Sequence, residues 1–269
     1  MADRTGPLLI IGGHEDKDGD KAILSTLAKL LDGGKLVLAT VASHEPDGYF
    51  EAYKKAFAAL GVTDLVELYV HERSDGSAPE TLAKLEGAAG VFFTGGDQLR
   101  ISSQIGDTPV EHRIHEIHRA GGVIAGTSAG AAVMSETMLV KGPSAESYRI
   151  GELHMAPGLG LVRDMIIDQH FAERGRYGRL LGAVAHNPRL LGVGIDEDTA
   201  LLVRGDEGRV IGAGAVYVVN GEEASHSNIA EARAERPLSI FDVRMHVLSC
   251  GDRFHFDRRR PEAGPDDGA

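Results

Sequence analysis

The segment Gly126-Thr127-Ser128-Ala129-Gly130 holds a serine between small residues. An apolar run before it, Val123, Ile124 and Ala125, predicts a buried strand, and the small and apolar residues behind it have helical character. The pattern is G-x-S-x-G. Small residues on both sides of Ser128 let the chain bend tightly and let strand and helix approach closely. A serine at such an elbow sits at the end of a sheet and the start of a helix, where negative charge on an attacked carbonyl is favoured. The competing reading is a plain helix N-cap, with Gly126 and Gly130 only turning the chain.

A serine hydroxyl is a weak nucleophile and needs a base, most often a histidine held in the right tautomer by a carboxylate. With 12 histidines, composition does not choose one. Position does: His170 follows the apolar run Met165-Ile166-Ile167 and is expected at the same sheet edge as the elbow. Asp196, Glu197 and Asp198 follow another apolar run, Leu190 to Ile195. Extended geometry puts Asp196 and Asp198 on one side and Glu197 on the other, and leaves open which side meets the histidine. For an oxyanion hole, Ala129 is the natural first backbone donor, and Gly96 in the glycine turn Gly95-Gly96-Asp97 is the candidate second. His112, His115 and His118 share a helical stripe but lack the carboxylate partner of a zinc motif, and read as a solvated face. The turn Gly12-Gly13-His14-Glu15-Asp16 has neither a phosphate-loop lysine nor G-x-G-x-x-G, so no nucleotide site is expected there.

The first half of the chain, which carries the elbow, follows a β–loop–α rhythm. Strands are expected at 7–11, 35–41, 64–70, 90–94 and 123–125, and helices at 20–31, 47–60, 79–86 and 109–120. This predicts an α/β fold with a mostly parallel sheet sandwiched by helices. Function gathers at the carboxyl ends of the strands in such sheets, where the glycine turns 12–16, 95–98 and 126–130 fall. After the elbow the pattern changes. Residues 141–158 read as a long loop and 179–187 as a helix; the valine-rich runs 209–219 and 239–248 read as antiparallel additions. A single α/β domain over 1–257 and a flexible C-terminal tail over 258–269 are expected.

Composition narrows the partners. A net charge of −12 argues against a nucleic-acid binder and suits a cationic substrate. No apolar window is long enough to span a membrane, and the start lacks a signal-peptide pattern. The lone Cys250 allows no intrachain disulfide, which fits a cytoplasmic location. The chemistry described needs no cofactor, and no metal-ligand spacing is evident in the chain.

Four segments in order resemble the cyanophycinase family: Phe93-Thr94-Gly95-Gly96-Asp97-Gln98; Gly126-Thr127-Ser128-Ala129-Gly130-Ala131; Asp168-Gln169-His170-Phe171 with Arg174 to Arg179; and Gly194 to Ala200. Ile11 to Asp16 is similar as well, so the likeness covers nearly the whole chain. The wider group includes the aspartyl dipeptidases (peptidase E), serine peptidases on a class I glutamine-amidotransferase-like, flavodoxin-like fold. The resemblance implies an exopeptidase for cyanophycin, a poly-aspartate backbone with arginine on each β-carboxyl, releasing β-Asp-Arg dipeptides. It implies Ser128 as nucleophile, His170 as base and Glu197 as third member. It implies Asp97, Gln98, Asp168, Gln169, Arg174 and Arg179 as substrate-binding residues, and a homodimer. Arginines can clamp substrate carboxylates and acids can hold substrate arginines. Helical spacing does not put Arg174, Arg176 and Arg179 all on one face. The alternatives are an α-aspartyl or isoaspartyl dipeptidase, and a non-catalytic ligand-binding module on the same fold.

Overall fold

Five short apolar strands form the frame: β1 (Leu8–Ile11), β2 (Lys35–Ala39), β3 (Leu65–Leu68), β4 (Ala88–Phe93) and β5 (Val123–Thr127). The computed structural model describes residues 5–44, 47–144, 146–230, 233 and 235–265. These five strands are parallel, in the spatial order β1-β5-β4-β2-β3. They read as continuous apolar runs because both faces are covered. Helices α1 (Ala22–Leu31) and α2 (Asp47–Ala58) cover one face, where Leu24, Leu27 and Phe57 pack on Leu9, Leu38 and Phe92. Helices α3 (Pro79–Lys84), α4 (Gln98–Ile105) and α5 (Pro109–Arg119) lie on the other, where Ile101, Ile105 and Ile114 pack with Val91, Phe93 and Ile124.

After the one-turn helix α6 (Ala129–Ala132), the chain makes the hairpin β6 (Thr137–Lys141) and β7 (His154–Pro157). Next come β8 (Met165–Gln169), α7 (Tyr177–His186) and β9 (Leu191–Ile195). They are followed by β10 (Thr199–Arg204), β11 (Glu207–Gly212) and β12 (Val216–Asn220). The chain closes with β13 (His226–Ser227), β14 (Ile240–Phe241), β15 (Arg244–Leu248), β16 (Arg253–His255) and β17 (Arg260–Glu262). Strands β10, β11, β16 and β17 extend the first sheet antiparallel from the β1 edge, giving nine strands. Strands β8, β9, β12 and β15 form a second sheet, with β8 and β9 parallel.

The α/β class, the parallel centre and the antiparallel additions match the expectation; the division into two sheets was not foreseen. Period-2 alternation explains how the second sheet fits. Met165 and Ile167 of β8 face the first sheet's core with Leu8, Ile10 and Ile124, while Ile166 faces Leu180 and Val184 of α7.

Four other local expectations change. Helix α4 was not foreseen; Asp97 caps it, its side chain accepting from Leu99 N at 2.8 Å. Residues 141–158 are not wholly loop, because β6 and β7 pair at their ends. The histidines of α5 are a solvated face only in part: His112 is exposed as expected, but His118 is buried with Nε2 2.8 Å from Gly6 O, and His115 Nε2 lies 2.8 Å from Leu159 O. The tail expected from residue 258 is ordered in part, since β17 pairs with β16; residues 266–269 lie outside the described ones.

Candidate active site

Both sheets end at one place. Ile11 and Thr127 are level in β1 and β5, and Gln169 and Ile195 are level in β8 and β9. The acids 196–198 are the crossover from β9 in the second sheet to β10 in the first. The loop after β1 ties the strand ends together. Ser128 N donates to Ile11 O at 3.0 Å, His170 N to Gly12 O at 2.8 Å and Asp198 N to Gly13 O at 2.9 Å.

The elbow is tight for the expected reason. A Cβ on Gly126 would overlap the Gly130 carbonyl oxygen, and one on Gly130 would overlap that of Phe93. Ser128 has φ 53° and ψ −114°, and His14, His170 and Asp198 also have φ between 45° and 49°. Each such non-glycine residue costs about 1–3 kcal/mol, so four of them together require surroundings that over-determine the backbone. The Ser128 side chain makes no capping bond to α6, which removes the N-cap reading. With one turn, α6 offers little dipole, so local N–H groups must carry any oxyanion stabilisation.

Instead, Ser128 Oγ lies 2.9 Å from His170 Nε2 and 3.4 Å from Gln169 Oε1. His170 Nδ1 lies 2.6 Å from Glu197 Oε1. The other two acids are occupied elsewhere. Asp196 accepts from Ala172 N and Ala215 N at 2.9 and 3.1 Å, and Asp198 accepts from Asp16 N at 2.9 Å. Burial holds the His170 pKa below its ordinary value, against the opposing pull of Glu197. Burial alone would raise Glu197, but hydrogen bonds from His170 and His14 outweigh it and keep the carboxyl below its ordinary range.

Ser128 opens on a cavity of about 450 Å³ that Gln98, Gln169, His170, Arg174 and Arg179 also line. Gly95 and Gly96 form part of its wall. A Cβ built on Gly95 would stand 3.5 Å from Ser128 Cβ, so this backbone passes close to the serine. The N–H groups of Gly95 and Gly96 donate to no acceptor among the described residues. Ala129 is buried at the start of α6, directly behind the serine.

Two expected site residues do not reach the cavity. Asp97 faces away as the α4 cap. Asp168 is buried behind the wall, where both its oxygens accept from Arg179 and one also from Arg176 Nη1 at 3.2 Å. Arg176, which was not among the expected substrate-binding residues, does line the cavity. Burial lowers its pKa to about 10, and its Nε has no hydrogen-bond partner among the described residues. Three guanidiniums and the Lys17 ammonium against the buried carboxylates of Asp168 and Glu15 leave the wall net positive.

The Glu15 network also lay outside the sequence reading. Glu15 is buried and accepts from Thr127 Oγ1 at 2.6 Å and from the Tyr53 hydroxyl, with Lys17 Nζ 3.0 Å away. Its side chain buttresses the residue before Ser128 and is not open to a substrate guanidinium. A glutamate four residues past a strand carries no sequence signal for this role; the signal is its burial.

The profile of peptidase family S51 matches residues 8–211. The chain is 40% identical over 261 residues to a cyanophycinase of Geminocystis herdmanii, covering 96% of each. It is 41% identical over 256 residues to a cyanophycinase of Trichormus variabilis, covering 94% of this chain and 86% of the relative. Among solved structures, a peptidase from an acI-B1 actinobacterium superposes with a TM-score of 0.69 over 95% of this chain and 99% of that one. At 22% identity that likeness speaks to the fold.

Proposed function

The chain belongs to peptidase family S51, a serine-type hydrolase, and from that premise we propose that it is an exopeptidase that degrades cyanophycin to β-Asp-Arg dipeptides. The observation that carries this reading is the run of hydrogen bonds from Ser128 through His170 to Glu197, opening on an arginine-walled cavity. The two cyanophycinases, about 40% identical over nearly the whole chain, support the substrate.

In this reading Ser128 Oγ attacks a backbone aspartyl carbonyl while His170 Nε2 takes its proton. Glu197 accepts from His170 Nδ1 and stabilises the imidazolium. The N–H groups of Ala129 and Gly96 receive the oxyanion, with Gly95 at hand beside them. His170 then gives its proton to the departing amine, leaving the acyl group on Ser128. Water then attacks the acyl carbon as it loses a proton to His170, which passes that proton to Ser128 Oγ as the ester bond breaks, releasing the acid and the free serine. Arg174, Arg176 and Arg179 bind substrate carboxylates, with Gln98 and Gln169 orienting the aspartyl part. Asp168 holds two of those arginines in place and does not touch substrate. Among the described residues the one acid in the cavity wall is Glu15, already held by Thr127, Tyr53 and Lys17, so the substrate's arginine projects towards the mouth.

Incubation with purified cyanophycin, read by mass spectrometry, is expected to yield β-Asp-Arg. Ser128→Ala is expected to lower kcat by at least about a thousandfold, because such residues act as a unit. No dipeptide, or undiminished release by Ser128→Ala, rejects the reading. Faster turnover of α-aspartyl dipeptides than of polymer moves it to the dipeptidase alternative. The resemblance also carries a homodimer in the cytoplasm into this proposal; a monomer mass by light scattering removes the dimer.

A further inference from the structure

His14 has no step in the hydrolysis above, yet it completes a group of three. One ring nitrogen each of His14 and His170 and one oxygen of Glu197 lie within 4.8 Å of one another. Both imidazoles present Nδ1 to the same carboxylate, His14 at 2.8 Å from Oε2 and His170 at 2.6 Å from Oε1. The rings meet edge to face with centroids 5.0 Å apart. Two imidazoles and one carboxylate, with a fourth position left to water, suit zinc and its neighbours in the late first transition series.

We propose that His14, His170 and Glu197 form a binding site for a divalent transition-metal ion of the zinc class, and that its occupation reversibly stops the peptidase. The entry path is open, since the His14 side chain is 71% exposed. That freedom lets His14 close the remaining gap to metal–nitrogen distances of about 2.0–2.1 Å. The inhibition follows from proton placement. A neutral imidazole carries one proton on two nitrogens. A metal on His170 Nδ1 takes that lone pair and leaves the proton on Nε2, which faces Ser128 Oγ at 2.9 Å. Nε2 then donates where it must accept, and the serine proton has no destination. No covalent bond changes, so removal of the metal restores activity.

The inhibitory half rests on His170 as the base, so binding and activity are measured apart. Ser128→Ala protein, which keeps all three ligands, is titrated with zinc chloride in competition with a chromophoric chelator. One site per chain is expected that includes His14, so that adding His14→Ala, or separately His14→Gln, weakens it by about tenfold or more. Zinc is expected to inhibit the active enzyme, EDTA to restore it, and both His14 substitutions to raise the half-inhibiting concentration by the same factor. Zinc binding unchanged by the two His14 substitutions overturns the site. Binding as expected that leaves hydrolysis undiminished overturns the inhibition and counts against His170 as base.

Discussion

At the scale of single residues, the site is a serine, a histidine and a glutamate whose protonation states are set by burial and by each other. Desolvation holds the His170 pKa below 6.5, and the Glu197 hydrogen bond limits that fall. In the proposed mechanism His170 acts as a base in its neutral form. Protonation of His170 sets in at lower pH than that of an ordinary exposed histidine. The acid limb of kcat/KM is therefore expected at a midpoint below 6.5, measured from initial rates on the polymer across pH. A midpoint at or above the ordinary histidine value contradicts it. The same scale shows what spacing could not choose. Asp196, Glu197 and Asp198 are equivalent on paper, and only the partners of each carboxylate separate them: backbone N–H groups for the two aspartates, imidazoles for the glutamate.

At the scale of elements, the loop after β1 and the β8–α7 corner hold the site. The loop gives three successive carbonyls to Ser128, His170 and Asp198, which is how left-handed backbone at those residues persists. At the corner, Asp168 at the end of β8 pairs with Arg176 and Arg179 around the start of α7. All three side chains are at most 8% exposed. Removing one partner leaves charge buried and uncompensated, so Asp168→Asn is expected to lower the unfolding free energy by about 3–5 kcal/mol, read by denaturant titration. KM should rise with it, because the freed arginines lose their orientation. Unchanged stability and KM would refute the supporting role. The β–loop–α order of the first half was legible because each strand and amphipathic helix is written in its own short window. Helix α4 escaped because its pattern, Gln98 to Ile105, is short and polar, and it is recognisable by its Asp97 cap.

At the scale of the molecule, the site exists only because two sheets stack with their carboxyl edges together. Ser128 comes from the first sheet, His170 and Glu197 from the ends of strands in the second. Ile167, fully buried, lies between the two. Ile167→Ala is expected to cost about 2–5 kcal/mol of stability. Its kcat should fall further than that of an equally destabilising change under α1, such as Leu24→Ala. Equal kcat in the two variants would show that the stacking does not set the Ser128–His170 distance. The charge distribution is also a whole-molecule property. A chain of net charge −12 keeps a positive wall inside its cavity because three guanidiniums and Lys17 outnumber the carboxylates of Asp168 and Glu15 there.

Local stretches of the chain specify the α/β class, the elbow at Ser128, the candidate His170 and the trio of acids 196–198, without choosing among the three. Each of these depends on residues adjacent in the chain: apolar runs, glycines that only small neighbours permit, and a polar residue at a strand end. Tertiary structure decided the second sheet, the inclusion of Arg176, the withdrawal of Asp97 and Asp168 from the cavity, and the meeting of positions 14, 170 and 197. Those depend on how two sheets stack. That stacking is set by interdigitation of side chains far apart in sequence, and no local window of the chain encodes it.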